Sequence, residues 1–186
     1  MQIINWITEA YRINFEQLCA NTSSREGFTK SRKDGELEII EEDFKYSEKD
    51  DERFIPIKLI ANQNKLYAKA FITLPVNLDK TDEIDVLKVL GRMNHEAGSC
   101  CSYFDADEKK IKVHVGLSYT GSYAIDDDEH CESGNFEVMS FSNMLLGAME
   151  HAHYWTDKLI LLENPDFVAE DVFKTIDKKV KFQVIN

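Results

Sequence analysis

Apolar positions change period along this chain, and each change marks an element. Val86, Leu87, Leu90, Met93 and Ala97 recur at steps of three and four, the pattern of a helix with one buried stripe. Thr81 is expected to cap that helix, with Asp82, Glu83 and Asp85 set against the positive end of its dipole. Gly91 lowers helix propensity by about 1 kcal/mol relative to alanine, which close packing on a sheet would explain. Gly98 is placed to stop the helix in the left-handed conformation. A hairpin follows. Cys100 to Phe104 leads into the polar turn Asp105 to Lys109. The return strand puts Ile111, Val113, Val115, Leu117 and Tyr119 on one face and Lys112, His114, Gly116 and Ser118 on the other.

The flanking segments are read in the same way. Met1 to Asn21 carries a helical stripe of Ile3, Ile7, Ala10, Tyr11 and Leu18. Asn21 to Gly35 is polar and reads as a loop, Leu37 to Ile40 as a short strand, and Ser47 to Arg53 as a charged turn. Phe54 to Ile60 and Leu66 to Leu74 are strands. In the second, Leu66, Ala68, Ala70, Ile72 and Leu74 share one face, and Tyr67, Lys69, Phe71 and Thr73 share the other. Because both faces carry aromatic or aliphatic groups, each is expected to be partly covered or to form an interface. Pro56 lacks a donor, which places the first of these strands at a sheet edge. After an acidic loop, a long helix from about Phe136 to Leu162 repeats Val138, Phe141, Leu145, Ala148, Ala152, Trp155, Leu159 and Leu162. Asn164-Pro165 starts a shorter helix through Val168, Val172 and Ile176, and Val180, Phe182 and Val184 suit a last strand.

These elements predict one α+β domain over residues 1–186, a twisted antiparallel sheet of about five strands with helices packed on one face. The core spans 54–162, with residues 1–50 and 165–186 as accessory pieces. Acids outnumber bases by 34 to 22, giving a formal charge of -12, so a phosphate backbone is a disfavoured partner and a basic protein a suitable one. The 4 cysteines match neither a zinc pattern nor a disulfide framework, which fits a reduced cytoplasmic setting. The apolar start lacks a basic region and meets Glu9 early, which does not read as a signal peptide. No run approaches the roughly 20 apolar residues of a membrane helix.

Candidate chemistry is sparse. On a helix, His151 and His153 point about 200° apart and cannot share one ion. Asp126, Asp127, Asp128, Glu129, His130, Cys131 and Glu132 lack the spacing of a calcium loop and read as a solvated acidic loop or a dock for a basic partner. Cys100 and Cys101 face opposite sides of a strand, and neither lies in a nucleophile signature. Asn94, His95 and Glu96 read as a polar latch at the helix-to-sheet corner, with Asn94 bonding the hairpin backbone. No phosphate loop, serine elbow or dinucleotide fingerprint is present. No catalytic, cofactor or metal residue is therefore assigned.

The run Val89-Leu90-Gly91-Arg92-Met93-Asn94-His95-Glu96, the hairpin segments Ser102-Tyr103-Phe104-Asp105 and Ile111-Lys112-Val113-His114-Val115, and the helix from Met149-Glu150-His151-Ala152 through Asp157 together resemble the YbjN family of bacterial sensory transduction regulators. The resemblance runs from about Phe54 to Leu162. Residues 1–50, the acidic Tyr123 to Asn135 stretch and the tail after Pro165 depart from it. It implies a fold like that of type III secretion chaperones, and a non-enzymatic, dimeric, protein-binding role. The expected function is a chaperone-like or regulatory module that takes a partner segment across the sheet or at an edge strand, with Phe71 and Tyr67 as partner-binding residues. The alternative is an acidic inhibitor or immunity-type protein that neutralises a basic toxin or nuclease, led by Asp126, Asp127, Asp128 and Glu129.

Overall fold

The computed structural model of the chain describes residues 30–35, 37–47, 50–62, 67–118 and 132–180. They form an α+β fold. Six strands, β1 (Lys30–Asp34), β2 (Leu37–Ser47), β3 (Asp50–Asn62), β4 (Tyr67–Thr73), β5 (Cys101–Asp105) and β6 (Lys110–Ser118), make one sheet in the order β1-β2-β3-β4-β6-β5. Every pairing is antiparallel. Helix α1 (Glu83–Glu96) joins β4 to β5, and α2 (Glu132–Leu159) runs through a 3-10 turn (Ile160–Glu163) toward α3 (Ala169–Val180).

Register explains which side chains meet. Ile57 lies opposite Ile72, and Ile72 opposite Val113; Leu59 lies opposite Ala70, and Ala70 opposite Val115. Since directly paired residues share a face, these rows form one apolar surface. It is buried with Phe141, Leu145, Ala148, Ala152, Trp155 and Leu159 of α2 and Val86, Val89 and Met93 of α1. α2 lies across β4 and β6, α1 lies against β5, and α3 touches both α1 and α2. The three described helices thus cover this inner face. At about 25 cal/mol per Å² of apolar area removed from water, this contact is the main source of stability.

Several sequence expectations change. The segment read as a loop up to Gly35 contains β1, and Gly35 turns the chain at φ 59°, a left-handed conformation glycine enters without a Cβ penalty. The short strand at Leu37 is 11 residues long, and β3 begins at Asp50, so strand occupies most of the expected charged turn. β1, in the segment read as a loop, is the strand not expected, and the sheet has six. β3 is interior rather than an edge strand. Pro56 is accommodated because it faces Asp43 of β2 while the β4 ladder starts one residue later, at Ile57.

Asp82, not Thr81, caps α1: its Oδ1 accepts from the Ile84 N–H at 2.8 Å. The Thr81 hydroxyl instead donates to the Leu162 carbonyl at 2.7 Å, tying the helix entry to the 3-10 turn. Val89 takes the core position expected of Leu87, which is 56% exposed. Gly91 is exposed with open space where a Cβ would stand, so close packing does not explain it. Gly98 does not adopt positive φ; α1 ends through an extended Ala97. α3 begins at Ala169, four residues beyond Pro165, and Val180 belongs to it rather than to a strand. The expected helix over Met1 to Asn21 and the strand residues Phe182 and Val184 lie outside the described residues.

Candidate functional site

The sheet face opposite the helices is built by the other half of each alternation. Row by row, Cys101 faces His114, His114 faces Phe71, Phe71 faces Lys58, and Lys58 faces Glu41. One step along, Gly116, Lys69, Ile60 and Ile39 form the next row, followed by Ser118, Tyr67 and Asn62. Phe71 and His114 stack with centroids 4.8 Å apart and planes at 27°. The Lys69 ammonium sits 5.0 Å from the Tyr67 ring centroid, a cation–π arrangement that covers one flank of the tyrosine. Lys58 and Glu41 pair at 3.3 Å. Phe54 and Tyr103, 38% and 37% exposed, extend the aromatic surface toward the other end of the sheet. Ile39 and Asn62 are buried on this side, and Phe71, Tyr67 and Ile60 are half-buried.

Burial and neighbouring charges set the ionisation of this face. Burial, and then the nearby Lys69 charge, hold the His114 imidazole below its ordinary range, so the ring is neutral near pH 7. The Cys101 sulfur lies 3.7 Å from His114 Nδ1. Beyond this pair the same row continues through Phe71 and Lys58. Lys112 donates to Asp105 at 2.7 Å and lies 2.8 Å from Glu108; these carboxylates outweigh burial and raise its pKa. Among the described residues, no group of three or more His, Cys, Asp or Glu side chains is arranged to hold a metal ion.

Asn94 makes a two-point bracket to the hairpin. Its Nδ2 donates to the Ser102 carbonyl at 2.9 Å, and the Ser102 N–H donates to its Oδ1 at 2.7 Å. His95 beside it is exposed. Gly98 lines two clefts, one on each side of the Gly98-Ser99-Cys100 segment. Phe71 and Tyr67 share the outer face, two alternations apart on β4 with Lys69 between them. Asp126, Asp127, Asp128 and Glu129 lie outside the described residues. His151 is half-buried near Trp155, with centroids 6.3 Å apart, while His153 is exposed.

The sequence reading missed the Phe71–His114 stack, because two residues 43 positions apart meet only through the β4–β6 register. It also missed a clamp at the opposite end of the molecule. Arg53 forks onto Glu163 with bonds of 2.7 and 2.8 Å and donates to the Pro75 carbonyl at 3.2 Å. Glu163 also accepts from the Asn77 N–H at 2.9 Å. In the sequence Arg53 follows Asp50-Asp51-Glu52 in a stretch read as a charged turn, and nothing local points to Glu163, 110 positions on. No family model, curated protein or solved structure matches the chain. Among the described residues, no helix is long and apolar enough to cross a membrane.

Proposed function

We propose that this chain is a non-enzymatic, protein-binding module of chaperone-like or regulatory type, which engages a partner segment on the outer sheet face around Phe71 and Tyr67. The observation that carries this reading is that, among the described residues, the helices all lie on the inner side of the sheet. α1, α2 and α3 seal the inner face, while the outer face presents half-buried Phe71, Tyr67 and Ile60 and more exposed Phe54 and Tyr103 among charged side chains. Aromatic anchors with a polar surround are what recognition surfaces use. The resemblance to the YbjN family supports the same role and adds self-association as a homodimer. The free thiols of Cys100 and exposed Cys101 suit a reducing, cytoplasmic compartment.

The test is capture from host lysate at low and at moderate salt, together with the mass of the purified protein by light scattering. One specific protein partner that survives moderate salt supports the reading. A basic partner that is lost as salt rises favours an acidic inhibitor instead. A mass equal to one chain at micromolar concentration removes the homodimer.

A further inference from the structure

At the β5 end of the outer face lies a cleft of about 470 Å³, bordered by Lys69, Ser99, Cys101, His114, Gly116 and Ser118. Its volume falls within the range of small-ligand sites. Three strands build it. Cys101 of β5 pairs with His114 of β6, and Gly116 of β6 pairs with Lys69 of β4. A Cβ at Gly116 would lie 3.4 Å from Lys69 Cγ and 3.5 Å from His114 Nε2, so the glycine leaves room for both side chains over β6.

The cleft holds a nucleophile with a partner. Cys101 is exposed, and its sulfur lies 3.7 Å from His114 Nδ1. The neutral ring serves that sulfur in either tautomer: a bare Nδ1 accepts from the thiol, and an Nδ1–H donates to the thiolate. Cys100 differs. It packs against the core, and burial, then the neighbouring Cys101, raise its pKa, which keeps it the less nucleophilic of the two. The local charge also runs against that of the whole molecule. The chain carries -12, yet no described side chain bordering the cleft is acidic. Its cation, Lys69, has no carboxylate partner among the described residues; the ammonium lies 5.0 Å from the Tyr67 ring centroid. A cation beside a thiol favours the thiolate, and it attracts an anionic reagent.

We infer that Cys101 is a modification site that takes up an anionic low-molecular-weight thiol of the glutathione class as a mixed disulfide, with Lys69 drawing in its carboxylates and His114 Nδ1 beside the reacting sulfur. The co-reactant is the oxidised, disulfide form of that thiol. The Cys101 thiolate attacks one of its sulfurs; the new S–S bond forms as the old one breaks, and the departing half leaves with the electron pair as a thiolate. That thiolate takes up the proton Cys101 gave away. The reagent is reduced by the two electrons that the new bond removes from the two thiols, so no further oxidant enters.

The full reduced chain is treated separately with glutathione disulfide, the neutral bis(2-hydroxyethyl) disulfide and the cationic cystamine. Each rate is divided by that reagent's rate with N-acetylcysteinamide, and adducts are located by peptide mass spectrometry. Cys100→Ser and Cys101→Ser distinguish the adjacent thiols, and Cys19 and Cys131 serve as internal references. A merely exposed cysteine on a chain of charge -12 should prefer cystamine. The expected result is the opposite: Cys101 reacts several-fold faster with glutathione disulfide than with cystamine, and faster than Cys100, Cys19 or Cys131. Lys69→Gln should cut the glutathione disulfide rate several-fold and leave the neutral reagent unaffected, Lys69→Arg should restore it, and His114→Phe should slow all three reagents. The inference is overturned if Cys101 prefers cystamine, if it reacts no faster than Cys100, or if Lys69→Gln leaves the preference intact. Should Lys69→Gln fail to fold, the order of the three reagents on the wild-type chain decides.

Discussion

Asn94 and Ser102 are joined by two hydrogen bonds of 2.7 and 2.9 Å, with the side-chain amide of one residue reading both main-chain groups of the other. This fixes the last turn of α1 to the β5 edge strand, where the ladder to β6 runs along only one side. Asn94→Ala should lower the unfolding free energy by about 1–2 kcal/mol, because two main-chain groups lose their partners. Asn94→Asp should cost a similar amount, since a carboxylate can accept from the Ser102 N–H but is repelled by its carbonyl. Urea denaturation of the three proteins checks this; a change within a few tenths of a kcal/mol for both variants would count against the bracket.

The Arg53–Glu163 clamp gives stability an acid-sensitive component. Burial raises the Glu163 pKa, but the bonds from Arg53 and the Asn77 N–H outweigh it and bring the group below its ordinary 4.5. A carboxylate with a depressed folded pKa stabilises above its unfolded pKa, and that stabilisation is lost as pH falls through the folded value. Glu163→Gln should therefore cost about 1–2 kcal/mol near pH 7 and progressively less below pH 4.5. Thermal melts of both proteins from neutral pH to pH 3 should converge at the acid end.

His114 and His151 act in a higher window. Burial lowers both from an ordinary 6.5, with Lys69 adding to the shift at His114 and Glu96 opposing it at His151. Each ring is held neutral in the fold and becomes charged more easily when unfolded. Stability should be flat above pH 6.5 with respect to these groups and fall as pH drops below it. His151→Phe should make that part of the curve shallower, leaving the His114 contribution and the carboxylate region unchanged.

Gly91 and Gly147 are exposed helix-interior glycines with open space where a Cβ would stand. Replacing either with alanine should stabilise the protein by about 0.8–1 kcal/mol. For a chain of this length that corresponds to a Tm rise of about 2–4 °C. An unchanged or lower Tm at Gly91 would point to close packing against a partner at that surface.

Period and alternation made most of the described core readable in advance. Ala68, Ala70 and Ile72 on β4 with Leu74 just beyond it, Ile111, Val113 and Val115 on β6, and the stripe from Phe141 along α2 to Leu162 in the 3-10 turn are all buried where their spacing placed them. The errors arose where local signals competed with tertiary ones. The polar residues of β1 and the charged start of β3 resemble turns, but antiparallel pairing with β2 makes them strands. Leu87 fits the helical stripe, yet the orientation of α1 on β5 buries Val89 instead. Of the candidate face, Tyr67 and Phe71 could be read from one strand's alternation. The stack on His114 and the Lys58–Glu41 pair depend on register between strands, which no single segment encodes.

The proposed role of the outer sheet face rests on Phe71 and Tyr67 as anchors for a protein partner. The most direct measurement compares capture by the wild-type chain with capture by the Phe71→Ala, Tyr67→Ala double variant, after matched melting curves show that both are folded. The account predicts a partner retained by the wild type at moderate salt and lost from the variant. A partner held equally well by the variant would contradict it.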